Sequence, residues 1–344
     1  MISKPANASS RRLVASSPRL KFALGASTAV ALASAAVPAH AVTYTFQDII
    51  DPVNPPFTQA LGINDAGAIV GYGNMTIFNG FQLVFPPSPG VFTRLNVPGQ
   101  TGGTQVFGIT ANGLTTDGFS VSGAGVNSGF VSTAGVFTPI LQNAFTQLLG
   151  INPSGTTAAG YSSTDPAGMA NQQAITVSGG PLFTSPVFTN INLPSNISQA
   201  TGVNDSGEVV GFFQLASGNF SAFSDVGGAI TPFEFPGSAS TQALGVNNLG
   251  EIVGDYVDAG GVMHGFLDNA GAFTMLDPTG STATTINGIN DLGTVVGFYV
   301  NAAGATIGTF GTPATTTTPE PGSLALLAAG LFGIGVAYRR RKAV

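Results

Sequence analysis

Between residues 43 and 310, short β-branched and aromatic runs alternate with turns rich in Gly, Asn, Asp and Ser. That pattern predicts strands joined by tight turns. One phrase recurs along it. It reads GINDAGAIVGY from Gly62, GVNDSGEVVGF from Gly202, GVNNLGEIVGDY from Gly245 and GINDLGTVVGFY from Gly288. Two degenerate copies start at Gly108 and Gly150, so successive starts lie 46, 42, 52, 43 and 43 residues apart. A period of this size predicts a propeller, solenoid or array. Within the phrase, a strand ends at Ile-Asn or Val-Asn and a four-residue turn follows. The turns are Asn64-Asp65-x-Gly67, Asn204-Asp205-x-Gly207, Asn247-x-x-Gly250 and Asn290-Asp291-x-Gly293. Asn and Asp favour turn starts, and Gly accepts the positive φ at the turn's end.

Each repeat continues with a third apolar segment, such as Gly80-Phe81, Gly129-Phe130, Ala222-Phe223 and His264-Gly265-Phe266. A fourth follows at Val91-Phe92-Thr93, Val136-Phe137-Thr138, Val187-Phe188-Thr189 and Ala272-Phe273-Thr274. Four strands in about 43 residues make one propeller blade. The sixth repeat ends near Phe310 without a fourth strand, whereas an orphan segment, residues 43–51, precedes the first repeat. A ring closes if that orphan completes the last blade and buries its edge. The expectation is an all-β, six-bladed β-propeller over residues 42–311. A signal helix precedes it and a transmembrane helix follows it.

Long uncharged apolar runs occur only near the two ends, which excludes a polytopic membrane protein. Residues 1–21 are basic, 22–38 are apolar and small, and Ala39-His40-Ala41 follows. This order predicts a secretory signal peptide, residues 1–41, cleaved after Ala41 and handled by the general secretion machinery. At the other end, 312–318 form a Thr/Pro linker. Then come Pro319-Glu320-Pro321, an uncharged stretch at 323–338, and Arg339-Arg340-Arg341-Lys342. As a helix that stretch spans about 24 Å, and its basic end stays cytoplasmic by the positive-inside rule. Both ends therefore predict the body outside the cytoplasm.

The tail, residues 319–344, closely resembles the PEP-CTERM sorting signal of exopolysaccharide-producing Gram-negative bacteria. The resemblance rests on Pro319, Glu320 and Pro321, one short apolar segment and the terminal Arg cluster. It implies recognition by an exosortase, cleavage near the motif, and a membrane-anchored intermediate before release to the surface or matrix. The repeats resemble HAF-type extracellular repeats over roughly residues 43–310. Only His264-Gly265-Phe266 keeps the histidine of that family's name, and the Gly-Ile-Asn-Asp portion matches in four of six copies. That resemblance implies an extracellular β-rich domain and no established catalytic residues.

Charge sharpens the picture. The chain has ten basic and sixteen acidic residues, a net charge of −6, and nine of the ten bases lie in the two ends. From Val42 to Thr318, fifteen acids face the single base Arg94, a net charge of −14. Such a domain is no nucleic-acid binder, and one Arg with no Lys excludes phosphate clamps. With no cysteine, disulfides and thiolate metal sites are excluded.

Candidate chemistry is sparse. His264 is the body's one histidine and occupies a repeat position filled by other residues in sister copies, which gives it a structural or surface role. Asp65, Asp205 and Asp291 read as turn residues, with calcium coordination the alternative. Glu208 and Glu251 share one repeat position and read as a solvated strand face. Asp255, Asp258 and Asp268 cluster in repeat 5, where a carboxylate pair could hydrolyse glycosides. The many Phe recur at equivalent places, as packing between blades requires. The expected function is that of an exported structural or adhesive protein associated with exopolysaccharide, not an enzyme and with no cofactor. A carbohydrate-active enzyme and a calcium-dependent binding module are the alternatives.

Overall fold

The punctuated runs fold as strands because each is short, β-branched and closed by a turn that its own Gly permits. Gly67, Gly207, Gly250 and Gly293 take φ between 74° and 80°, where a side chain would be strained. The computed structural model describes residues 43–53, 57–84, 90–180 and 183–314. The expected signal peptide with Ala39 and Ala41, the sorting motif, the apolar tail and its basic end lie outside the described residues.

The described residues form six four-stranded antiparallel sheets. The first blade contains β2 (Thr58–Ile63), β3 (Ile69–Gly73), β4 (Asn79–Val84) and β5 (Val91–Arg94). The second contains β6 (Gly103–Ile109), β7 (Thr115–Val121), β8 (Asn127–Thr133) and β9 (Val136–Ile140). The third contains β10 (Phe145–Ile151), β11 (Thr157–Ser163), β12 (Gln172–Ser178) and β13 (Val187–Asn190). In the fourth are β14 (Ser198–Val203), β15 (Glu208–Gln214), β16 (Phe220–Val226) and β17 (Ala229–Phe233). In the fifth are β18 (Ser240–Val246), β19 (Glu251–Val257), β20 (Met263–Asn269) and β21 (Ala272–Met275). The sixth contains β22 (Ser281–Ile289), β23 (Val295–Asn301) and β24 (Thr306–Pro313), completed on its outside by β1 (Tyr44–Ile49).

This is the six-bladed propeller that the repeats predict. The orphan strand closes the ring as expected: β1 pairs antiparallel with β24, from Tyr44 opposite Pro313 to Ile49 opposite Gly308. The closing strand is longer than its sequence suggests. Thr312 and Pro313, read above as the start of the linker, remain paired to Thr45 and Tyr44. Pro313 is tolerated because it stands at the strand's end.

Apolar side chains pack between blades. Phe81, Phe130, Phe223 and Phe266, at one repeat position, are all almost fully buried. Core clusters straddle successive blades, as where Val210 and Ala222 meet Ala243, Ile252 and Phe266. Another joins Ile49 of the closing strand and Val296 of β23 to Ala60, Ile69 and Phe81 of the first blade.

The body's single base locks this closure. Asp51, on the link from β1 to β2, is fully buried, and Arg94 of β5 reaches it at 2.7 Å from Nη1 to Oδ2. The same carboxylate accepts the Val53 N–H at 3.0 Å. Removing the guanidinium leaves a buried charge without its counter-ion. Arg94→Met should therefore lower unfolding free energy by about 2–3 kcal/mol, below the roughly 3–5 kcal/mol of a fully buried pair because Arg94 is partly exposed. Urea denaturation checks this, and adding Asp51→Asn to the same variant should recover part of the loss.

Candidate functional site

The repeated phrase builds the propeller axis. The strands nearest the axis are β2, β6, β10, β14, β18 and β22, each touching the next around a complete circle. Each carries a β-bulge immediately before the phrase glycine, as at Leu61 between Ala60 and Gly62 and Leu244 between Ala243 and Gly245. The bulge residue loses its ladder partner and is re-aimed. The phrase glycines then let neighbouring strands touch. A Cβ on Gly245 would stand 2.6 Å from the Asn287 carbonyl oxygen, and one on Gly150 would stand 2.6 Å from that of Thr201. Neither distance admits a side chain.

On one face of the ring, the Asn-Asp turns link blade to blade. Asn204 Nδ2 donates to Asn247 O, Asn247 Nδ2 to Asn290 O, and Asn290 Nδ2 to Asn64 O, each at 3.0 Å. Asn64 Nδ2 donates onward to Thr110 O at 3.0 Å. A second belt runs beside it. Asp291 N donates to Asp65 Oδ1, Asn248 N to Asp291 Oδ1, and Ser154 N to Asp205 Oδ1. Residues of these turns thus form the clasp between blades. The carboxylates weighed above as calcium ligands accept neighbouring N–H groups.

Glu208 and Glu251 correct one expectation. They do not merely face solvent: Glu208 Oε2 accepts from Asn204 Nδ2 at 3.3 Å, and Glu251 Oε2 from Asn247 Nδ2 at 2.7 Å. They hold the clasp amides in orientation. The signal was a glutamate four residues after the turn asparagine, a spacing that the hairpin brings back on itself.

The degenerate copies are where the clasp changes. Thr110 replaces the asparagine in the second blade, which meets the third through Ala111 N to Pro153 O. Asn152 turns its amide to Ser154 and Thr156 in its own turn. At this seam lies Asp117, completely buried where sister strands carry Val70, Val210, Val253 or Val296. Neither carboxylate oxygen has a hydrogen-bond partner among the described residues. Burial pushes Asp117 up to about 7, against the pull of the nearby Gly108 and Gly150 N–H groups.

The axis opens into two cavities. A small one of about 80 Å³ lies under the clasp. A larger one of about 440 Å³ lies towards the other end. Both touch the six bulge residues Leu61, Phe107, Leu149, Thr201, Leu244 and Asn287, which mark the constriction between them. Gln59, Gln105, Gln147, Gln199 and Gln242 line the larger cavity. Sequence reasoning missed this ring. Its signal was a Gln three residues before the phrase glycine in five repeats, visible once the phrase is extended backwards.

Two acids of repeat 5, Asp255 and Asp268, do not face each other. Asp255 lies opposite Gly265 and Asp268 opposite Ile252. Directly opposed residues share a face and faces alternate along a strand, so these two carboxylates point to opposite sides of the blade. Asp268 accepts the Gly271 N–H at 2.7 Å. Asp258 belongs to the loop after β19, where it accepts the Gly260 and Val262 N–H groups and lies 3.5 Å from His264 Nε2. His264 Nδ1 meets Asp277 Oδ2 at 2.6 Å. These contacts, that with Asp277 first, raise the His264 pKa and favour its charged form. The ring also stacks on Tyr256, itself stacked on Phe235 at 3.7 Å. With each ring nitrogen facing a carboxylate, His264 ties β20 to the loop before it and to the segment after β21.

Comparison with known proteins agrees with this architecture and with the tail. Residues 317–342 match the PEP-CTERM protein-sorting motif. That motif marks the chain for export, a membrane-anchored step and processing by an exosortase on the way to the surface. No curated protein matches the chain in sequence. Among solved structures, one described as TolB from Agrobacterium tumefaciens is similar with a TM-score of 0.52 at 10% identity, covering 75% of this chain and 91% of that one. AofleA from Arthrobotrys oligospora is similar with a TM-score of 0.50 at 14% identity, covering 77% and 86%. The β-propeller domain of the Trilobed protease from Pyrococcus furiosus aligns with a TM-score of 0.45 at 8% identity, covering 77% and 98%. At these identities the likeness is one of fold.

Two measurements test the clasp and its seam. Asn247→Ala removes four hydrogen bonds made in a buried setting and should cost about 2–4 kcal/mol. Asn152→Ala, whose amide donates only within its own turn, should cost less. Asp117→Val should stabilise the protein, and more so as pH rises. An unfolded carboxyl titrates near 3.8 and the native one near 7. Between those values the native state holds a proton that the unfolded chain has released, so stability from this site falls as pH rises. Urea titrations at pH 5 and pH 8 should show the larger gain at pH 8.

Proposed function

We propose that this protein is a non-catalytic propeller displayed at the cell surface or in the extracellular matrix, where it acts as a structural or adhesive component associated with exopolysaccharide. The observation that carries the reading is the sorting motif joined to a strongly acidic closed propeller. Most of the candidate acids support it, since they serve the fold: Asp65, Asp205 and Asp291 clasp the blades, and Asp258 and Asp268 cap loops. The resemblance of the repeats to HAF-type extracellular repeats points the same way.

Net charge narrows the partner. A body of −14 repels anionic polymers at low ionic strength. A neutral glycan, or an anionic one bridged by divalent cations, is the favoured matrix partner. No resident cofactor is needed for this role.

Replacing Pro319-Glu320-Pro321 by three alanines should hold the protein in the membrane fraction and deplete it from the matrix, as read by immunoblot of fractionated cells. An unchanged matrix pool would count against exosortase sorting. Host exopolysaccharide immobilised on beads should retain the full chain without shortening of the polymer. Released oligosaccharide would replace the adhesive reading with an enzymatic one.

A further inference from the structure

The larger axial cavity breaks the propeller's own pattern in one place. In each blade the residue after the second-strand glycine lies directly opposite the ring residue of the innermost strand. The pairs are Gln59 with Tyr72, Gln105 with Phe119, Gln147 with Tyr161, and Gln199 with Phe212. The sixth blade has Thr285 with Phe298. The fifth has Gln242 with Asp255. Five blades therefore set an aromatic ring at this position, and the fifth sets a carboxyl. That side chain is only 5% exposed, yet it lines the cavity.

Packing alone does not account for Asp255. It removes most of an aromatic side chain from the wall and puts a polar group in its place. Burial pushes its pKa up to about 7, against the pull of the Thr285 hydroxyl beside it. A buried carboxyl without a cation is costly, and no basic residue lines this cavity. A carboxyl lining a cavity of this size, beside Thr285 and Met263 and with no base among the lining residues, suits an occupant that hydrogen-bonds.

We propose that the axial cavity is a binding site for a small neutral sugar, with Asp255, Gln242 and Thr285 as its polar contacts and Phe212 and Phe298 as its apolar walls. A volume of about 440 Å³ falls within the range of small-ligand pockets. An amide such as that of Gln242 carries donors and an acceptor, which suits hydroxyl groups of either role. Aromatic walls accept the C–H faces of a sugar ring. An anionic sugar is disfavoured because the lining supplies a carboxyl and no base. The ligand class rests on the glycan-associated reading above; the site itself rests on the geometry.

The test is calorimetric titration of the full chain in detergent with glucose, galactose and N-acetylglucosamine. Glucuronate and tetramethylammonium serve as the anionic and cationic comparisons. At least one neutral sugar should bind in the millimolar range. Asp255→Phe restores the residue type of the other five blades and fills the space. It should weaken that binding at least tenfold, about 1.4 kcal/mol, while its melting temperature stays equal or rises. Asp255→Asn, which keeps volume and hydrogen bonding, should bind within a few-fold of the parent. The proposal is overturned if no neutral sugar binds, if Asp255→Phe binds as well as the parent, or if tetramethylammonium binds in place of the sugars. Retention on host exopolysaccharide is measured in parallel. Retention without sugar binding removes this site and leaves the adhesive role standing, whereas sugar binding without retention does the reverse.

Discussion

Everything in this propeller depends on how closely six backbones can meet at one axis. The phrase glycines in the innermost strands stand where a Cβ would strike the neighbouring strand, in one case 2.9 Å from the Leu61 carbonyl oxygen across the closure between the last and first blades. With the strands that close, the turn asparagines reach the next blade's carbonyls, and the ring becomes a hydrogen-bonded circuit over blades four, five, six, one and two. Bulges placed at the same point in every strand aim one side chain per blade differently from the regular ladder. Those side chains mark a constriction, and the axis is divided into two cavities in consequence.

The same constraint explains where the molecule departs from its own symmetry. Blades two and three lack full clasps, and the buried Asp117 lies at their contact, facing Gly108 of its own blade and Gly150 of the next. The circuit is weakest there. Closure two seams away is reinforced: β1 completes the last blade, its apolar Ile49 enters the core of the first, and Arg94 neutralises Asp51 between them. A domain so poor in bases spends its one arginine at the point where the two ends of the ring must stay together.

Much of this could be read in the chain before folding was considered. The glycine-punctuated phrase, its period and the missing fourth strand of the last repeat define six blades and the closing role of residues 43–51. The turn positions Asn64, Asp205 and Asn290 were legible as turns because Asn and Asp begin tight turns wherever they occur. Their second role was not legible, since a hydrogen bond from Asn290 to Asn64 spans 226 residues. Glu208 and Glu251 looked like solvated surface for the same reason: their partners sit on the clasp, and the clasp exists only in the closed ring.

By itself the sequence determined the sorting motif, the blade count and the strongly acidic body. Each of these is carried by residues adjacent in the chain or by a repeat whose period needs no coordinates. Tertiary structure alone decided what the acids do. Asp255 and Asp268 are thirteen residues apart in the sequence, but strand alternation and register send them to opposite faces of a blade. Five glutamines scattered over almost two hundred residues converge on one cavity because rotation about the axis superimposes equivalent positions. Local pattern fixes which residues repeat; only closure of the ring determines which of them meet.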